Sequence, residues 1–311
     1  MTFADKKLAR SIEHLLHLEL LDWDPKGLFP EEGDYPALGV HVYPESKILG
    51  RYGPDDLLRI LERAGITAKL DEYGFTSLRC EITEPEPRTW EYRICFDQTD
   101  NEHMLHEPII HAGNFHTRAA FAPLLHGLEL PMIFIRWVCL QNPRRHFTPE
   151  RPALPGQRFP GLRIGDRVFE MYHKLAELNG FAGLVNSPEY LHNAALYSKR
   201  FRYLDPVVQG KLDALYRDFL EISLAEATWG ELSGCVEEVG VGRVFDWHHQ
   251  EQILPVSPLL CAHFESRAYL DAAAESFNRT RFEFDRERWL EKCPLNEDGA
   301  PKVPVDRTRG L

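Results

Sequence analysis

The chain has 311 residues, 43% of them hydrophobic and 27% charged, and a formal net charge of −12. That balance belongs to a globular protein and excludes a fibrous, repetitive or disordered one; the length allows one unit with an added lobe, or two domains. The acidic excess repels a nucleic-acid backbone, and no segment approaches the run of about 18 apolar residues that a membrane span needs, so neither partner is expected. The six cysteines, Cys80, Cys95, Cys139, Cys235, Cys261 and Cys293, include no Cys-x-x-Cys pair. This argues against a zinc knuckle or a disulfide framework. Charges interrupt the apolar pattern of the amino terminus, which therefore does not read as a signal peptide, and a reducing cytoplasm is the expected compartment.

Along the chain, Leu8, Ile12, Leu15, Leu16 and Leu20 form a helical stripe, followed by a Pro/Gly-rich loop over 24–54. Gly53-Pro54-Asp55-Asp56 then announces a helix: proline suits the first turn, the carboxylates meet its positive end, and Gly65 stops it. Strand-like runs over 75–82, 88–96 and 103–112, bounded by turn formers, join a fourth over 132–141 in a predicted antiparallel meander. The stretch between the last two reads equally as helix or loop.

Residues 132–205 carry the most chemistry. After the fourth strand comes a Pro- and Arg-rich loop, then Gly-Leu-Arg-Ile-Gly at 161–165, an amphipathic helix over 166–180, and a buried parallel-type strand, FAGLV, at 181–185. A second helix closes on Asn193-Ala194-Ala195-Leu196-Tyr197. Between 136 and 167 lie seven arginines, at 136, 144, 145, 151, 158, 163 and 167, opposed only by Glu150 and Asp166. A glycine-bearing turn between strand and helix presents unpaired amides to one point, which makes an anion seat and suits a phosphorylated guest. Beyond Asp205-Pro206, the apolar spacing of Val208, Leu212, Leu215, Phe219, Ile222 and Ala225 predicts one long helix over 207–229. A small strand pair over 235–247 and helices over 257–274 and 286–292 follow, with a loose tail from Asn296. The expected division is an amino-terminal helical arm and loop (1–53), an α/β domain (54–205) and a mainly helical carboxy-terminal lobe (206–311). That lobe either covers a pocket or makes a homodimer, and its Trp229, Trp247 and Trp289 read as core anchors.

The segment Gln157-Arg158-Phe159-Pro160-Gly161-Leu162-Arg163-Ile164-Gly165, with the helix after it and the Asn/Ala-rich helix ending at Tyr197, resembles the cofactor-binding half of the GNAT acyl-CoA N-acyltransferase superfamily. The likeness spans about residues 75–205, with Arg163 where the family's turn carries glycine. It implies an α/β fold with a mixed, mostly antiparallel central sheet, flanking helices and a splayed strand edge. It also implies acetyl-CoA or another acyl-CoA as co-substrate and a small-molecule or peptide amine as acceptor, with no metal. On this resemblance Arg158, Gly161, Arg163, Ile164 and Gly165 hold the pyrophosphate, helped by Arg167, and Val138, Cys139 and Leu140 offer backbone to the pantetheine arm. Tyr197 protonates the departing thiolate, for which a phenol is well matched in pKa. Glu107 and His111, on one face of a strand, are the candidate bases.

Two other readings compete. His103, His106, Glu107, His111 and His116 crowd one stretch and are residue types that bind zinc or iron, although on a strand they spread too far to share one ion. A GNAT-like scaffold that only binds a ligand or partner is the other. Gly-x-Ser-x-Gly, phosphate-loop and dinucleotide motifs are absent, so serine-nucleophile and nucleotide chemistry are not expected.

Overall fold

Proline at the first turn and Asp56, whose carboxylate accepts the Gly53 N–H at 2.9 Å, start α1 (Pro54–Arg63). Gly65, at φ +66°, takes the left-handed conformation that ends it and turns the chain into α2 (Ile66–Glu72). The computed structural model describes residues 46–117 and 121–292. The helix expected over 5–21, most of the loop after it, Cys293 and the tail from Asn296 lie outside those residues.

The meander follows as β1 (Leu78–Glu86), β2 (Thr89–Phe96), β3 (Met104–His116) and β4 (Glu129–Leu140), each antiparallel to the next. β3 absorbs the start of the stretch that read as helix or loop, pairing His116 with Glu129. After the Arg-rich loop come α3 (Gly165–Leu178) and β5 (Gly183–Asn186), which pairs parallel with β4. β5 is buried at every position, as its apolar start, Gly183-Leu184-Val185, suits, and the polar Asn186 closes it. Then follow α4 (Leu191–Tyr197), β6 (Arg202–Tyr203), α5 (Pro206–Asp218), α6 (Leu224–Leu232), β7 (Val236–Glu238), β8 (Arg243–Val244) and β9 (Gln252–Pro255). The chain ends, within the described residues, with α7 (Pro258–Glu265), α8 (Arg267–Arg279), β10 (Phe282–Phe284) and α9 (Arg286–Lys292).

The fold is α/β. Its main sheet has seven strands in the order β1-β2-β3-β4-β5-β9-β6, and a smaller one runs β10-β7-β8. Two sequence expectations change here. The helix predicted over 207–229 is broken between Asp218 and Leu224, because Ser223 accepts from the Glu226 N–H while the Glu226 carboxylate accepts from the Ser223 N–H, a reciprocal cap that restarts the helix. The carboxy-terminal lobe also does not stand apart from the sheet: β9 lies between β5 and β6, antiparallel to both.

Strand alternation sorts side chains to two faces. Ile94, Ile110, Ile133 and Leu184 pack with Val168, Tyr172 and Leu175 of α3 and with the α1–α2 helices. Met132, Val185 and Ile253 pack on Leu260, Phe264 and Tyr269 of α7 and α8. Each such side chain contributes roughly 1.5–3 kcal/mol. The alternation puts Asn186, next after Val185, on the α3 side.

Candidate functional site

β4 outruns its parallel partner. The last β4–β5 pair is Ile135 with Asn186, after which β4 continues to Leu140 while β5 ends. At that point β4 also carries a bulge: Ile109 faces Trp137 and Ile110 faces Ile135, so Arg136 is the extra residue. Gln141 donates to Leu105 O at 2.9 Å, which sets the phase of the β3–β4 ladder. The amides of Trp137 and Cys139 therefore face β3, and those of Val138 and Leu140 turn to the open edge. The strands part into a fork.

A cleft of about 310 Å³ fills the fork. Glu107, Val138, Cys139, Leu140, Arg158 and Tyr197 all line it. His111 does not. It bonds Thr89 Oγ1 at 2.9 Å and lies beside the Phe134 ring, further down β3 than Glu107 and away from the fork, so the base predicted at either position is carried to the cleft only by Glu107. Glu107 itself accepts from Arg93 at 2.6 Å. Gly161, Arg163, Ile164 and Gly165 do not line it: they form the turn that follows Arg158, with Ile164 buried in the core, where Pro160 O accepts the Asn142 N–H at 2.7 Å and a Cβ on Gly161 would lie 3.5 Å from Leu140 O.

That turn opens α3 without a side-chain cap. Nothing lies within 4 Å of a Cβ built on Gly165, so there is open space beside that residue. Arg163 has φ +58°, the left-handed region that favours glycine. The turn thus keeps a glycine-like backbone while its side chain adds charge. Arg151, whose guanidinium donates to Gly161 O, has its pKa lowered by burial and then by the nearby charges of Arg163 and Arg145. Arginines that repel one another beside a helix start are a ready anion site. Arg167, expected to join them, instead donates to Ala64 O at the end of α1, where a terminal carbonyl needs a partner. Arg144 is likewise occupied, bonded to Gly74 O and stacked on Phe75 and Phe96.

No protein-family model and no curated protein matches this chain. The chemistry of the cleft therefore rests on its own residues. Tyr197, the last residue of α4, stacks edge-on against Phe169 at 5.0 Å, and its hydroxyl makes no hydrogen bond to another described residue. Burial, with the neighbouring Cys139, pushes this phenol up to about 12. Burial, with Glu107, pushes the Cys139 thiol up to about 11, so it stays protonated and is no nucleophile.

The histidine-rich stretch scatters. His103 bonds Asp100, His111 bonds Thr89, and His106 points to the α3 face. No three His, Cys, Asp or Glu side chains converge on one point among the described residues. His106 instead supports the fork from below. Its Nδ1 donates to Cys139 O at 2.9 Å, and its Nε2 meets the hydroxyls of Tyr92 and Tyr172 at 3.1 and 3.0 Å. Burial drives this imidazole down to about 4. The folded protein thus resists a proton that the unfolded chain accepts near 6.5, so this contribution to stability is intact above that pH and is lost as pH falls toward 4. The expected loss is about 3 kcal/mol. Urea unfolding of the wild type and of His106→Gln at pH 7 and 4 checks it: the wild type should lose more stability on acidification by about that amount, and equal losses would refute it. His192 adds a fall of the same sign, while Asp213, raised by burial to about 6, opposes both.

The carboxy-terminal lobe buttresses the cleft walls. Trp229 Nε1 donates to Ala153 O at 2.8 Å in the Arg-rich loop, and Trp247 Nε1 donates to Pro188 O at 3.1 Å, just after β5. Sequence reasoning also passed over Asn186 and His192, which line the cleft. The available signal was a polar residue closing an otherwise apolar buried strand, at the carboxyl end where ligands of parallel strands gather. No helix among the described residues is long and apolar enough to cross a membrane.

Proposed function

We propose that the protein is a GNAT-like, acyl-CoA-dependent N-acyltransferase. The observation that carries the reading is the fork: β4 leaves β5 after Ile135, bulges at Arg136, and turns the Val138 and Leu140 backbone toward a cleft that Arg158 also lines, on the loop leading to an uncapped helix start. A splayed edge next to a glycine-type turn opening the third helix is what the sequence resemblance implies. The left-handed Arg163 supports it further, because the family's glycine at that position serves the same backbone shape.

In this reading the diphosphate of acyl-CoA sits on the α3 amides with Arg158 and Arg163, and the pantetheine arm lies along the β4 edge. The acceptor nitrogen attacks the thioester carbon, the new C–N bond forms and the C–S bond breaks. Tyr197 gives its proton to the leaving sulfur, and Glu107 takes the extra proton from nitrogen. Arg158 and Arg163 are both exposed, so they can move to a ligand at little cost in packing.

Calorimetric titration with acetyl-CoA tests the seat. The double variant Arg158→Ala, Arg163→Ala should bind more than about tenfold more weakly, each charged hydrogen bond being worth roughly 1.5–3 kcal/mol. Unchanged affinity would remove the seat. Release of free thiol from acetyl-CoA in the presence of amino acids, aliphatic diamines or amino sugars tests turnover; binding without any release would favour the non-catalytic reading.

A further inference from the structure

Asn186 ends β5 at the crotch of the fork, is only 6% exposed and lines the cleft, yet both atoms of its side-chain amide lack a partner in the protein. Such a group costs free energy unless something satisfies it. Its cross-strand neighbour on β9, Gln252, does not do so, because Gln252 donates to Ala194 O at 3.4 Å. His192 faces the same cleft from α4 with its ring stacked on Tyr190 and Nδ1 unpartnered. Asn186 and His192 thus both bring unsatisfied polar atoms to the cleft.

The position of this amide along the fork says what it meets. A thioester arm that starts at the α3 turn, beside Leu140, and follows the β4 edge covers about 16 Å of strand before it reaches Ile135. Tyr197 stands along that path near Cys139, where the sulfur leaves. The acyl group beyond the sulfur then lies against Asn186.

We infer that Asn186 is a catalytic residue that polarises the acyl carbonyl, a role that rests on the acyltransferase reading above. Its Nδ2–H donates to the carbonyl oxygen as the amine attacks and negative charge builds there. Its Oδ1 accepts an N–H of the incoming amine and so orients the attack. Nitrogen bonds to the carbonyl carbon, the electron pair of the C–S bond leaves with sulfur, Tyr197 supplies the proton to that sulfur and Glu107 collects the one released by nitrogen. Asn186 moves no proton.

The test uses the full-length protein and acetyl-CoA labelled with ¹³C at the acyl carbonyl. Isotope-edited infrared spectroscopy should place the bound carbonyl band at lower frequency than in solution, and Asn186→Ala should abolish most of that shift while leaving the dissociation constant for acetyl-CoA within about threefold. With an amine that the wild type acetylates, kcat should fall roughly 10²- to 10³-fold, as for other single donors to a developing oxyanion. The melting temperature of Asn186→Ala should stay level or rise, since the change deletes unsatisfied polar atoms; Asn186→Ser, which keeps a donor, should recover part of both signals. A wild type that binds acetyl-CoA with the same carbonyl band as the Asn186→Ala variant, or a variant with unchanged kcat, overturns the role of Asn186 and leaves the acyltransferase reading standing. A wild type that fails to bind acetyl-CoA takes both down.

Discussion

Tyr197→Phe is expected to lower kcat at least 10²-fold while leaving acyl-CoA affinity unchanged. A positioned general acid contributes about 10²–10⁴-fold, and Tyr197 is the cleft phenol that lies beside Cys139 on the β4 edge. Phenylalanine preserves the ring contacts with Phe169 and Phe201, so the loss isolates the proton rather than the packing. Because burial raises the phenol to about 12, Tyr197 stays protonated through neutral and mildly alkaline pH, and it is a weaker acid than the exposed phenol whose pKa matches a thiolate. The wild-type kcat profile should therefore show no alkaline fall assignable to Tyr197 below about pH 10. Steady-state kinetics with thiol detection settle the point: a variant within threefold of wild type would strip Tyr197 of this role.

Gly210→Val should be the most damaging single change outside the cleft. Gly210 lies on α5 against α8, and even a Cβ there would come to 2.3 Å from Ala273 O, 2.6 Å from Ser276 Cβ and 2.8 Å from Phe277 N. The obstacles are largely backbone and cannot rotate away, so the helices must separate. Separation would break the bond from Ser276 Oγ to Val207 O and those from Arg217 to Phe277 O and Thr280 O. Overpacking of this kind costs about 1–3 kcal/mol, and the lost hydrogen bonds add to it, so a loss of roughly 3 kcal/mol or more is expected. At about 2–4 °C per kcal/mol for a chain of this order, the melting temperature should drop by roughly 6–12 °C. Chemical denaturation showing a loss under about 1 kcal/mol would mean that the two helices slide apart freely.

The candidate site was partly legible. Val138, Cys139, Leu140, Arg158, Glu107 and Tyr197 were singled out from spacing and resemblance, and the fold brings them to one cleft. His111 was chosen because it shares a strand face with Glu107, but sharing a face says nothing about which end of the strand meets the cleft. Arg167 was counted with the anion seat because charge is visible in a sequence, whereas the carbonyl of Ala64 that claims it is not. The long helix over 207–229 was extended through 219–223 because Phe219 and Ile222 kept the period, although Ser223 and Glu226 had the spacing of a helix start.

Read alone, the sequence determined the local pieces: where α1 begins and Gly65 ends it, the four meander strands, the amphipathic α3, and the buried parallel character of β5. Those follow from periodicity, turn residues and capping within a few neighbours. Only the tertiary structure decided that β9 returns from beyond residue 206 to lie beside β5, that β4 bulges at Arg136 where β5 stops, and that the Asn186 amide faces the cleft unpaired. These depend on pairings between residues far apart in the chain, whose free energy comes from long-range burial and hydrogen bonding and leaves no short-range pattern to read.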